Sequence, residues 1–320
     1  MGMKLRIPAL VTLVIACTAA LPAADPQLLN LVMPDAKVLA GVNVDQAKVS
    51  PFGQYLIAQF QAQDQHLRDF IAKTGFDPTR DLSELVIAST GSQNHAPALT
   101  AARGIFSTDK INAAAQSAGA VSEVYKGVTI VEEPRKPGGY AFLNSTLAIA
   151  GDVASVKGAI DRQTAPAPLP AALLVKVNQL SVANDAWAIS EIPPPEIKIP
   201  GNGGNAPSVP ASVFQAIQQA SGGVKLSTQG VSLAGELQAD TAANAKQISD
   251  ILQFFVNLGQ MQAQKNPQAA SLLKSLVVAS SGNLVQISMN LPEAEAESLF
   301  QLKPKPKAAQ PAAPRQRRSQ

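Results

Sequence analysis

Cysteine is all but missing: among 320 residues there is one, Cys17, inside the N-terminal apolar run. No disulfide can staple the folded part, so its stability must come from core burial. Histidine is nearly as scarce. His66 falls in the polar stretch QAQDQH and His95 in a loop stretch, neither beside another histidine or a cysteine. A metal centre would have to be built from carboxylates, and nothing shows ligand spacing. Aromatic residues make up 4% of the chain, which disfavours an aromatic-lined pocket. No Gly-x-Ser-x-Gly elbow, phosphate loop or dinucleotide fingerprint occurs. After the N-terminus there is no apolar run near the roughly 20 residues that a spanning helix needs, so no transmembrane helix is expected in the mature chain.

What is present is an apolar content of 46%, mainly Val, Leu, Ile and Ala, enough for a sizeable core. The length suggests about two domains of 130 to 150 residues. The N-terminus reads MGMKLR, then IPALVTLVIA, then CTAALPAAD: a basic start, an apolar run and small residues. That is the pattern of an export signal. Cleavage after Ala23 or Ala24 gives a signal of 1–24 and a soluble periplasmic or secreted protein. Alternatively, Val14-Ile15-Ala16-Cys17 resembles the lipobox of bacterial lipoproteins, which makes 1–16 the signal, Cys17 the lipidated residue and the product membrane-anchored. Charge is uneven. The tail 303–320 holds six basic residues and no acid, while the body from Asp25 to Leu302 has 18 bases against 23 acids, a net charge of −5. The tail is read as disordered, able to touch an anionic envelope surface. Without aromatics to stack bases, specific nucleic-acid binding is not expected.

The first half is assigned to 25–163. VLAGVNVD, Val38 to Asp45, alternates apolar residues as a strand, placing Val38, Ala40, Val42 and Val44 on one side. Asp45, leading into the following helix, is read as a cap. Ser50-Pro51 starts a long amphipathic helix running to about Lys73 and ended by Gly75. LSELVIAS and LTAARGIF are strands, followed by a short helix after Ser107. Lys126-Gly127 and Asn144-Ser145 mark two hairpins, and Asp152 caps a helix carrying Val153, Val156 and Ile160. The Pro/Ala-rich stretch 164–172 is the linker. The second half, 173–302, opens with LLVKV and AWAIS as strands. Pro193 to Pro210 is a proline- and glycine-dense loop, and a helix is expected around Val213 to Ala220. LAGELQAD is a further strand. A long helix then starts at Thr241, breaks at Asn266-Pro267 and resumes through Leu273; a hairpin and a last helix from Pro292 to Phe300 follow. The halves share an order of strand, long helix, strand, strand and short helix. Aligning Val38 to Asp45 with Leu233 to Asp240 keeps side-chain faces in step, and LVIAS at Leu85 matches LVVAS at Leu276. The expected class is α+β: two related halves, each a mainly antiparallel sheet against a long amphipathic helix and shorter ones.

The stretches TGFDPTRDL (Thr74 to Leu82), VYKGVTIV (Val124 to Val131) and LAIAGDVASVKGAIDR (Leu147 to Arg162) resemble stretches of uncharacterised secreted bacterial proteins of about this size. The resemblance spans the first half and rests on turns and strand edges. It implies export and an α+β fold, and it brings no functional residue.

Candidate chemistry is sparse. Ser271-Leu272-Leu273-Lys274 matches the Ser-x-x-Lys nucleophile motif, without the Lys-Thr-Gly or Ser-Asp-Asn elements that accompany it, and reads as helix surface. Glu132-Glu133 and Glu191 with Glu196 are carboxylate pairs near strand ends, the minimum for acid/base work but usual for solvated ends. The glycines of GNGG from Gly201 lie among prolines and read as linker. No catalytic, cofactor-binding or metal residue is assigned, and no cofactor is expected. The sequence points to a non-catalytic exported protein that binds or scaffolds something in the cell envelope. Two other readings stay open: a hydrolase whose scattered carboxylates or serines only the fold brings together, and a periplasmic carrier of an apolar ligand held between the long helices and a curved sheet.

Overall fold

A computed structural model describes residues 24–91, 96–132, 138–193, 211–263 and 267–299. In chain order the first half comprises α1 (Pro26–Leu31), β1 (Val38–Asn43), α2 (Val44–Val49), α3 (Pro51–Gln63), α4 (Gln65–Thr74), α5 (Pro78–Asp81), β2 (Leu82–Ser89), β3 (Ala98–Gly104), α6 (Thr108–Ser117), β4 (Val121–Tyr125), β5 (Val128–Glu132), β6 (Gly139–Asn144), β7 (Leu147–Gly151) and α7 (Val153–Thr164). The second comprises α8 (Ala171–Ala183), β8 (Ala186–Ser190), α9 (Ala211–Gln215), β9 (Ile217–Ser227), β10 (Gly230–Ala239), α10 (Ala242–Gln262), α11 (Pro267–Ser275), β11 (Leu276–Ser281), β12 (Leu284–Pro292) and α12 (Glu293–Leu299). The α+β class holds.

The two halves do not keep separate sheets. One twelve-stranded sheet runs β11-β12-β10-β9-β8-β1-β2-β3-β7-β6-β5-β4, and the join is the antiparallel pair β1–β8, with Leu39 opposite Ile189 and Gly41 opposite Trp187. The two strands matched in sequence occupy different places: β1 lies between β2 and β8, β10 between β9 and β12.

Both faces carry helices, unevenly. On one, α1, α7 and α8 bury the largest core, in which Leu28, Leu39, Val86, Ile149, Val177 and Ile189 meet. This face buries Leu39 and Gly41 of β1; Val38, Ala40 and Val42 point the other way and are only half-buried. On the opposite face, α4 and α6 cover the distal part of the first half through Phe76, Phe106 and Ile111. Over the second half, α3, α11 and α12 pack at one end of the strands, around Phe52, Leu226 and Leu291. At the other end α9 and α10 pack around Phe214, Ile248 and Val285.

Several local expectations are corrected. LLVKV is helix, part of α8, because Leu173, Val177 and Ser181 recur every four residues and face the sheet together. The helix after Ser50 is two helices: Asp64 breaks the run and caps α4 by accepting from the amide of Leu67 at 3.1 Å. Only Ala211–Gln215 is helical in the stretch expected as a helix around Val213; from Ile217 the chain is strand. The first strand stops at Asn43, whose Oδ1 accepts from the amide of Gln46 at 2.9 Å, so Asn43 rather than Asp45 is the cap. Asp45 sits in the first turn of α2 and pairs with Lys48 at 3.2 Å.

Candidate functional site

Antiparallel registry lines up one residue from each strand between β11 and β5 in a row across the sheet, all on the face that α3 and α10 flank. From the second-half edge the row passes Val278, Ile287, Gly235, Gly222, Ala188 and Ala40, each directly opposite the next. It continues through Ile87, Thr100, Ala150, Tyr140 and Val131. Its middle has small side chains or none, and Ile87 remains 46% exposed.

The small residues make a floor, and the two helix groups make banks. Between the Phe52 cluster and the Phe214 cluster lies an open trough of about 490 Å³, whose lining includes Ala188, Val224, Leu233, Gly235, Ile287 and Met289. That is within the roughly 300–1,000 Å³ of small-molecule sites. No lining residue is ionisable, and the polar side-chain groups among them are the Ser288 hydroxyl and the Trp187 indole N–H. The strands of the floor bond to neighbours on both sides, so their amides and carbonyls are already satisfied. Such a surface offers a guest dispersion and exclusion of water, with no group placed to transfer a proton or attack a carbonyl.

About 24 Å along the same row, five strand spacings from β9, a cleft of about 640 Å³ opens between α4, α6 and β5–β7. Phe70, Ala115, Val131, Tyr140 and Ala150 line it, with Glu132 at its rim. The Tyr140 hydroxyl donates to Asn112 Oδ1 at 3.1 Å, and burial pushes the phenol above its ordinary range. Among the described residues Glu132 is the one carboxylate that lines the cleft.

Among the described residues, those singled out in the sequence do not converge. Glu132 ends β5, while Glu191 follows β8, six strand spacings or on the order of 30 Å away, and pairs with Lys37 at 2.9 Å. Ser271 donates to Glu295 Oε1 at 2.9 Å, a link between α11 and α12 rather than a bond to a base one turn along. Asp240 accepts from Asn244 Nδ2 at 2.7 Å, and its neighbour Thr241 caps α10. Cys17, His95, Glu133, Glu196, Gly201 to Gly204, the tail 303–320 and the side chain of His66 lie outside the described residues. Among the described residues no group of three or more His, Cys, Asp and Glu could hold a metal ion, and no helix is long and apolar enough to cross a membrane. The sequence left an apolar-ligand carrier open but pointed to no residue of this trough. Its only local signal was the cluster of strand glycines, Gly222, Gly223 and Gly235, which strands usually avoid unless something approaches closely.

Neither a protein-family model nor a curated protein matches the chain. Among solved structures it is similar to TP0453 in three crystal forms, each at 12% identity and a TM-score of 0.51. Crystal form I covers 87% of this chain and 97% of that one; forms III and IV cover 85% of this chain and 95% and 94% of theirs. The likeness extends over nearly the whole of both chains and establishes that they share a fold.

Proposed function

We propose that this chain is an exported, non-catalytic binding protein of the cell envelope that takes an elongated apolar ligand along the trough between α3 and α10. The observation that carries the reading is the floor itself: Ala188, Gly222 and Gly235 withdraw side chains from the sheet where flanking helices stop short, leaving apolar surface with no ionisable group. Export is supported by the basic start, apolar run and small residues before Asp25. The dispersed positions of Glu132, Glu191 and Ser271 give a hydrolase no such support.

The test fills the trough. A Cβ at Gly235 would have no atom closer than 3.8 Å, so a side chain fits there without moving the backbone. Binding of the uncharged dye N-phenyl-1-naphthylamine, read by energy transfer from Trp187 and displaced by a saturated long-chain fatty acid, is expected to saturate. Gly235→Leu is expected to weaken it at least tenfold while leaving the thermal midpoint unchanged or raised. Saturable binding indifferent to Gly235→Leu, or no saturable binding, overturns the reading.

A further inference from the structure

The first described residues, Ala24 and Asp25, are held firmly in the fold. Ala24 is 3% exposed and belongs to the largest core cluster. Its backbone nitrogen donates to Ser181 Oγ at 3.0 Å, and the Ser181 hydroxyl, itself buried on α8, donates to the carbonyl of Asn178 at 3.3 Å. The next amide, of Asp25, donates to Glu84 Oε1 of β2 at 2.9 Å. The Asp25 side chain caps α1 by accepting from Gln27 N at 2.7 Å and pairs with Arg103 of β3. Two residues thereby tie together β2, β3 and α8, which belong to both halves. Termini are ordinarily poorly ordered unless something fastens them.

We propose that the chain is cut between Ala23 and Ala24 before it folds, and that the new α-amine is a structural member of the fold, docked on Ser181. This rests on the export reading above. One water hydrolyses the peptide bond, leaving a carboxylate on Ala23 and an amine on Ala24 that takes up a proton. Ala24 is the residue whose methyl group fills the core, so a cut one residue later would empty that space. The amine has Ser181 Oγ as acceptor and the Glu84 carboxylate on the adjoining residue as the nearby opposite charge. Burial pushes Glu84 above the ordinary carboxylate range and the Asp25 charge adds to that push, while the Asp25 amide and the Arg103 guanidinium oppose it, so a cation here would add to the opposite charge that Arg103 already supplies. Folding buries Ala24 and engages its amide, so the cut must come first: a protease needs the chain extended and free.

Two measurements separate this proposal from export itself. The full chain, expressed in a Gram-negative host, is purified from the envelope fraction and its intact mass taken. A mature chain beginning at Ala24 is expected; one beginning at Asp25, or at a lipid-modified Cys17, overturns the assignment although export stands, and retention of Met1 overturns export as well. Independently of export, a chain from Ala24 to Gln320, released from a fusion, is treated near neutral pH with an amine acylating reagent. The α-amine is expected to react at least tenfold more slowly in the native protein than in urea, and Ser181→Ala to restore part of the rate. Equal rates in both states overturn the docking and leave export untouched.

Discussion

Asp152 shows how much one cap can concentrate. Its Oδ1 accepts from Ser155 N at 2.9 Å, while Oδ2 accepts from Ser155 Oγ at 2.7 Å and from Ala98 N of β3 at 2.9 Å. Burial works against the charged form, but these bonds outweigh it and hold the carboxyl below its ordinary range. A depressed folded value means that this stabilisation is complete above the unfolded value and lost as pH falls through the folded one. Asp152→Ala should cost about 1 kcal/mol at neutral pH, the usual worth of such a cap. Asp152→Asn should flatten the acid limb of the stability profile, measured by urea denaturation from neutral pH downwards; limbs that stay parallel would count against the carboxylate. This cap was legible because Asp152 stands directly before Val153, Val156 and Ile160. Asp45 misled for a local reason: an asparagine two residues earlier had already begun the helix, and a first-turn aspartate looks the same in sequence as a capping one.

At the scale of elements, Gly75 ends α4 with φ of 71°, and its amide donates to the carbonyl of Ile71 at 2.7 Å. A left-handed backbone strains any side chain, while open space surrounds the position. Gly75→Ala should therefore cost about 1 kcal/mol. Gly75→Asn should cost less, since asparagine tolerates that region; equal losses in thermal midpoint would mean that something other than backbone conformation is at work. Punctuation of this kind was readable, as were the two hairpins, the first turning at Lys126-Gly127 as expected and the second at Ser145-Thr146, one residue beyond the expected Asn144-Ser145. Elements without punctuation were not. A short apolar run such as LLVKV fits strand and helix alike, and α1 is six residues long, too brief for a helical period to show. The trough was hidden for a further reason. Its floor joins Ala188, Gly222 and Gly235, neighbours only through strand registry, and an alanine or glycine in one strand announces nothing about the strand beside it.

Across the whole molecule, the β1–β8 junction decides whether two halves unfold as one. Gly41 lies so close beneath Trp187 that an added Cβ would meet the indole ring at 2.5 Å. The junction is extended by Asn43 N donating to Asp185 O at 2.7 Å and Glu191 N to Lys37 O at 2.8 Å. The core on this face mixes Leu39, Val86 and Leu99 from the first half with Leu173, Val177 and Ile189 from the second, so neither half can open without exposing the other's apolar surface. That coupling predicts a single transition although the chain exceeds the size at which two-state behaviour is usual. Trp187 is the only tryptophan and is 5% exposed at the junction, so its fluorescence reports the join while far-UV circular dichroism reports all helices and strands. The two signals should change at the same denaturant concentration. Gly41→Ala, which drives a methyl group into the indole, should lower both midpoints together, because overpacking a filled site costs about 1–3 kcal/mol. A tryptophan signal that moves ahead of the dichroism would show that the halves part before they unfold, and that the continuous sheet is a docked pair rather than one cooperative unit.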